Sequence, residues 1–141
     1  MAYRVFISHS SRDTWVAEQI EAQIIRVGAE TFLDERHIQF GDNFTTVIRH
    51  ELNRANELLV LFTPWAVERD WIKVEIGVIW GRGERIIAVI HGITLREFQE
   101  NSQIPSVTKE NDIVEINELA QYFTELQYRI ARRSKTEVYE I

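Results

Sequence analysis

The sequence predicts an α/β domain built on a flavodoxin-like five-stranded parallel sheet, strand order 2-1-3-4-5, with helices on both faces. Three observations carry that prediction. Short apolar runs alternate along the chain with stretches that repeat apolar residues at helical spacing. One run, Leu58-Leu-Val-Leu-Phe62, is apolar at every position, as a central strand covered on both sides should be. Strands that alternate with helices pair in parallel through right-handed crossovers, and five such units fill a chain of 141 residues.

The elements follow in order. Val5-Phe-Ile7 is a short buried strand that stops at polar Ser8-His9-Ser10-Ser11. Ser11 or Asp13 can cap the next helix, whose apolar face is Val16, Ile20, Ile24 and Val27 and which Gly28 ends. Thr31-Phe-Leu33 is a second strand, closed by Asp34. Glu35 to Asn43 is a polar loop with Gly41 at its turn, and Asn43 can cap a helix carrying Val47, Ile48 and Leu52. The third strand, Leu58 to Phe62, ends at Thr63-Pro64-Trp65. A helix is expected from Val67 to Trp80, stopped by Gly81 and Gly83. Ile86 to Ile90 is a fourth strand and Ile113 to Ile116 a weaker fifth. Leu95 to Glu100 has the length of a short helix. Leu119, Phe123, Leu126 and Ile130 mark the last helix. The domain is expected to occupy residues 1–133, with residues 134–141 as a C-terminal tail.

Composition narrows the function classes. There is no cysteine, which excludes disulfides, zinc–thiolate centres and a cysteine nucleophile. The net charge of −6 disfavours a nucleic-acid partner. The one basic cluster, Arg129, Arg132, Arg133 and Lys135, suits the charged last turn of a helix. The N-terminus lacks the basic and apolar regions of a signal peptide, and no apolar run is long enough to span a bilayer. The expectation is a cytoplasmic protein without a membrane partner. His9, His37, His50 and His91 lack metal-ligand spacing, so no metal is expected. Gly81-Arg-Gly83 lacks the strand context of a phosphate loop.

In a sheet of this order, ligands bind at the carboxyl ends of the strands, at the switch point between the first and third. That rule selects the loop from Ser8 to Arg12 and the segment from Thr63 to Trp71. Trp71 and Glu75 lie four residues apart, on one helix face beside this crevice. Spacing alone favours a core tryptophan and a solvated glutamate, and the place in the topology is what raises the functional reading. Ser8, His9 and Ser10 offer hydroxyls, an imidazole and backbone N–H groups, either for a ligand or for capping the helix that follows. Trp65 is a pocket wall or, more simply, core. A receiver domain shares this fold class, but Thr63-Pro-Trp stands where its phosphorylated aspartate would be.

Three blocks carry a family resemblance. Val5-Phe-Ile-Ser-His-Ser-Ser-Arg-Asp13, Phe32-Leu-Asp-Glu-Arg-His-Ile-Gln-Phe-Gly-Asp42, and Phe62-Thr-Pro64 with Asp70-Trp71-Ile-Lys-Val-Glu75 resemble, in order and spacing, bacterial Toll/interleukin-1-receptor (TIR) domains. The resemblance covers roughly residues 3 to 92. Phe40 departs from it, since many relatives have proline before Gly-Asp. Some family members cleave NAD at the nicotinamide–ribose bond, and others only assemble with further TIR domains. The resemblance implies that Glu75 is the catalytic glutamate and that Trp71 is its aromatic partner. Asp34 and Arg36 would begin a loop that covers the nucleotide and contacts a neighbouring subunit, where an ordinary surface ion pair is the alternative. NAD is then a substrate, and no cofactor is expected. The resemblance further implies self-association or pairing with other TIR domains, and a role in antiphage immune signalling through a separate effector. With no second domain in the sequence to sense a trigger, activity is expected to depend on assembly or an activating partner.

Overall fold

The computed structural model describes residues 2–33, 44–110 and 112–140, with only the backbone course given at Phe44 and over 135–140. Five strands form one parallel sheet: β1 (Arg4–Ser8), β2 (Glu30–Leu33), β3 (Glu57–Phe62), β4 (Arg85–Ile90) and β5 (Ile113–Glu115), in the order β2-β1-β3-β4-β5. The helices are α1 (Thr14–Arg26), α2 (Phe44–Arg54), α3 (Asp70–Gly81), α4 (Leu95–Glu100) and α5 (Leu119–Glu140). The expected fold class and strand order are those observed.

Alternation along the strands sorts the core into two layers. Leu58, Val60 and Phe62 of β3 join Phe6 of β1 and the α2, α3 and α4 residues Ile48, Leu52, Ile72, Ile76, Ile79 and Phe98. Leu59 and Leu61 join Val5 and Ile7 with Ala17, Ile20 and Ile24 of α1 and Tyr122 and Leu126 of α5. Every residue of β3 is buried, which follows from its central place between these layers. The same parity fixes the polar residues at the strand ends. Ser8 follows Phe6 and faces α3, whereas Glu57 and Thr63 follow the odd positions and face α1 and α5.

Several expected boundaries move. The helix expected over 67–80 is divided into a 3-10 turn at Ala66–Glu68 and α3 proper, because Arg69 is extended (φ −88°, ψ 113°). Gly81 is the last residue of α3, and Gly83, at φ 72°, supplies the left-handed turn into β4. The α1 cap also differs. Neither Asp13 nor Ser11 caps α1 with its side chain; Ser10 Oγ instead accepts from Arg12 N (3.3 Å) at a 3-10 turn, Ser11–Asp13, ahead of the helix. The α4 helix stands as expected, opened by a Thr94–Glu97 capping box. The α5 helix continues to Glu140, past Arg133, through a stretch that contains neither glycine nor proline. No helix among the described residues is long and apolar enough to cross a membrane.

Arg129 is therefore not in a last helical turn. It lies mid-helix and meets Glu57, the fully buried first residue of β3, through Nε to Oε1 (2.9 Å) and Nη2 to Oε2 (3.1 Å). The Tyr3 hydroxyl donates to Glu57 Oε1 (2.7 Å) and the Tyr122 hydroxyl to Oε2 (2.5 Å). Four charge-assisted bonds thus satisfy a carboxylate that burial alone would strongly disfavour. Burial, and then the negative Glu57, pushes both tyrosine hydroxyls well above their ordinary acidity constant.

Candidate functional site

The carboxyl edge of the sheet collects the chemistry-bearing residues. Ser8 ends β1 and is fully buried. Its parity turns the hydroxyl toward α3, where it donates to Glu75 Oε1 at 2.8 Å. Glu75 lies among Ile72, Ile76 and Ile79 on the packed face of α3 and is itself fully buried. It is not a solvated helix charge. Trp71, one turn earlier, is 38% exposed, so it is not a core residue either. Both bland readings of this pair are reversed: the charged residue is inside and the aromatic one reaches the surface.

The second wall of the crevice is the segment after β3. Thr63, fully buried, donates its hydroxyl to Asp13 Oδ2 at 2.6 Å and accepts from Ala66 N at 3.2 Å. Asp13 is buried as well, and its own N–H bonds Ser10 O at 2.9 Å. Trp65 follows at 46% exposure, which corrects the expectation of a core residue; the Arg12 guanidinium lies 5.7 Å from its ring centre. The loops after β1 and β3 are thereby joined at the mouth by a cation–π contact and inside by a carboxylate–hydroxyl bond.

Of the residues singled out from sequence, Ser8 and Glu75 are in direct contact, and His9 and Ser10, which follow Ser8 in the chain, are buried. Ser10 takes the capping role at the 3-10 turn. Asp34 and Arg36 lie outside the described residues, as does the expected cap Asn43. Sequence reasoning missed Asp13 and Thr63 as a pair. The available signal was positional: Thr63 is the first polar residue after the apolar run Leu58–Phe62, at the switch point. Among the described residues no group of His, Asp or Glu is arranged to hold a metal ion. A cavity of about 440 Å³ opens on the same edge, lined by Pro64, Val67, Glu68, Gly92, Ile93 and Glu97 among others, and does not include Glu75.

The fold is similar to that of the TIR domain of the Toll-related receptor TRR-2 from Hydra magnipapillata, with a TM-score of 0.65 and 18% identity over 91% of this chain and 97% of that one. It is also similar to the TIR domains of the activated Roq1 resistosome, with a TM-score of 0.61 and 16% identity over 93% and 84% of the two chains. Identities this low speak for the fold alone. Among curated proteins, the chain is 32% identical over 100 residues to the 2' cyclic ADP-D-ribose synthase BtTIR of Bacteroides thetaiotaomicron, covering 67% of this chain and 35% of the relative. It is 24% identical over 136 residues to the NAD(+) hydrolase TcpC of Escherichia coli O6:H1, covering 90% and 44%. The chain thus spans less than half the length of either curated relative. Residues 5–126, from β1 into α5, match the TIR domain family, and together with the sheet order and the curated relatives this places the chain in that family.

Proposed function

We propose that this TIR domain cleaves the nicotinamide–ribose bond of NAD, as a glycohydrolase or cyclase, with Glu75 as the catalytic carboxylate. One observation carries the reading: a fully buried carboxylate at the switch-point edge, held by the Ser8 hydroxyl at 2.8 Å. Taking a carboxylate out of water is costly, and a helix with ample apolar neighbours gains no stability from it; such groups concentrate at functional sites. The names of the two curated relatives, a cyclic ADP-ribose synthase and a NAD(+) hydrolase, support the same reaction class.

The chemistry needs one carboxylate. Nicotinamide is bound to ribose as a cationic pyridinium. When the C1′–N bond breaks, its electron pair stays on the ring nitrogen and nicotinamide leaves neutral. Glycosidases that expel an alkoxide need a second carboxyl as general acid; this reaction does not. Glu75, oriented by Ser8, stabilises the developing oxocarbenium carbon and accepts hydrogen bonds from ribose hydroxyls. Water then forms the new C1′–O bond and loses its proton to Glu75 or solvent, which gives ADP-ribose. An internal hydroxyl or adenine nitrogen as acceptor gives a cyclic ADP-ribose. Trp71, half-exposed one turn from Glu75, offers its face to the pyridinium.

Burial adds a condition. NAD reaches Glu75 only if the crevice opens, so activity depends on assembly or on an activating partner. On this reading the product serves as a nucleotide signal to a separate effector in antiphage defence. The second reading is a non-catalytic assembly module, favoured by the large apolar side chains left exposed at Trp15, Val74 and Trp80. The two are separated by incubating concentrated protein with NAD, alone, with a crowding agent, and in phage-infected lysate, beside Glu75→Ala. Nicotinamide release that vanishes in the variant establishes the enzyme, and the mass and retention of the second product identify it. Assembly without release under every condition favours the module.

A further inference from the structure

We propose that Asp13 is a positioning residue for the Glu75 site, acting through Thr63 to fix the segment that delivers α3 to the crevice. The inference deepens the reading of Glu75 as the catalytic carboxylate and rests on it for its kinetic arm.

The argument starts from strand parity. Ser8 leaves β1 toward the α3 layer and holds Glu75 there. Thr63 leaves β3 toward the opposite layer, where α1 begins, and meets Asp13. The crevice is therefore tied on both faces of the sheet, by one carboxylate–hydroxyl bond on each. The two ties are linked through the chain. Thr63 Oγ1, while donating to Asp13, receives Ala66 N–H (3.2 Å), and Thr63 O receives Val67 N–H (3.3 Å). These bonds shape the 3-10 turn from which α3 departs after Arg69. On the other side, Asp13 N–H is bonded to Ser10 O, so the same residue fixes the loop that begins at Ser8.

Helix capping does not account for Asp13 here. It occupies the position before α1 where an aspartate ordinarily bonds the first free N–H groups, yet it makes no side-chain cap. Its carboxylate, only 4% exposed, is spent instead on a hydroxyl 50 residues further along the chain. A helix cap is given up for a bond across the crevice. Reacting groups must be held to a fraction of an ångström, so a slack Thr63 segment costs turnover before it costs substrate binding.

The test compares Thr63→Val, Thr63→Ser and Asp13→Asn with the wild-type chain, read by NAD cleavage kinetics, by melting temperature, and by the carbon-13 resonance of the Glu75 carboxyl at fixed pH, identified by its loss in Glu75→Gln. Thr63→Val is expected to lower kcat by about tenfold or more, with KM changed less than about threefold, and to displace the Glu75 resonance. Thr63→Ser, which keeps the hydroxyl, restores both. Asp13→Asn, which keeps an acceptor without the charge, moves both in the same direction by less and serves if Thr63→Val does not fold. A lowered melting temperature with kcat and the Glu75 resonance unchanged overturns the proposal, since that is what a merely structural bond gives. If the wild-type protein cleaves no NAD under any condition, the catalytic reading fails, and the resonance alone decides whether Asp13 and Thr63 position Glu75.

Discussion

The Ser8 hydroxyl and the Glu75 carboxylate meet at 2.8 Å, joining the last residue of β1 to the middle of α3, 67 residues later in the chain. The contact aims one oxygen of Glu75 and supplies one of the donors that a buried carboxylate requires. Ser8→Ala removes the donor and leaves the backbone unchanged. A hydrogen bond to a charged group contributes about 1.5–3 kcal/mol, so turnover of NAD should fall by about ten- to a hundredfold. Glu75→Gln keeps the shape and can still accept from Ser8; it should abolish nicotinamide release with a melting temperature within a few degrees of wild type. Equal rates for Ser8→Ala and wild type would show that Ser8 does not orient the carboxylate.

Trp71 separates binding from folding. At 38% exposure it contributes less to the core than its size suggests. Trp71→Ala should raise KM for NAD by about threefold to thirtyfold, the equivalent of a cation–π contact of about 0.5–2 kcal/mol, with little change in melting temperature. A large loss of stability with KM unchanged would return Trp71 to a packing role.

Arg129→Met should be severely destabilising. It leaves Glu57, fully buried, without its guanidinium, and breaking a buried pair from one side costs about 3–5 kcal/mol. The double variant Glu57→Gln with Arg129→Met should recover part of that loss, because no buried charge is then left uncompensated. Urea denaturation measures both, and additive losses would show that the pair is not coupled.

Alkaline pH should weaken the same cluster. Tyr3 and Tyr122 have their ionisation raised on folding, first by burial and then by Glu57. The unfolded chain therefore loses these protons first. Their contribution is complete below the unfolded value of about 10 and is lost as pH climbs through the higher folded values. Melting temperature should fall steeply above about pH 10, and the phenolate absorbance of two of the four tyrosines should appear only with unfolding. Four tyrosines titrating together in the folded protein would contradict it.

The sheet could be read from sequence because its signals are local. Leu58 to Phe62 is apolar throughout, and the alternation of runs and helical periods leaves few topologies. The site was readable by address rather than by contact: the switch-point rule pointed to Ser8 and to the Thr63–Trp71 segment without indicating that Ser8 would touch Glu75. What escaped were pairings between distant residues. Asp13 has the sequence signature of a helix cap, and nothing local reveals that Thr63 takes its carboxylate instead. Arg129 looks like one of several surface cations, since its partner Glu57 is 72 residues away. Trp65 and Trp71 read as core in the sequence because large aromatics usually are, yet both stand part-exposed, at the end of the β3 segment and in the first turn of α3.

The cluster around Glu57 also orders events during synthesis. Residues 3, 57, 122 and 129 must all be present before that carboxylate has its full set of donors. A nascent chain that has delivered all five strands, through Glu115, still carries a negative charge that the sheet cannot bury without the first half of α5, which brings Tyr122 and Arg129. The last helix therefore acts as a checkpoint on the whole domain: a ribosome that stalls, or a protease that cuts, ahead of residue 129 leaves a sheet that cannot close over its central strand, and such products should be recognised as unfolded and degraded rather than accumulate as a shortened TIR domain.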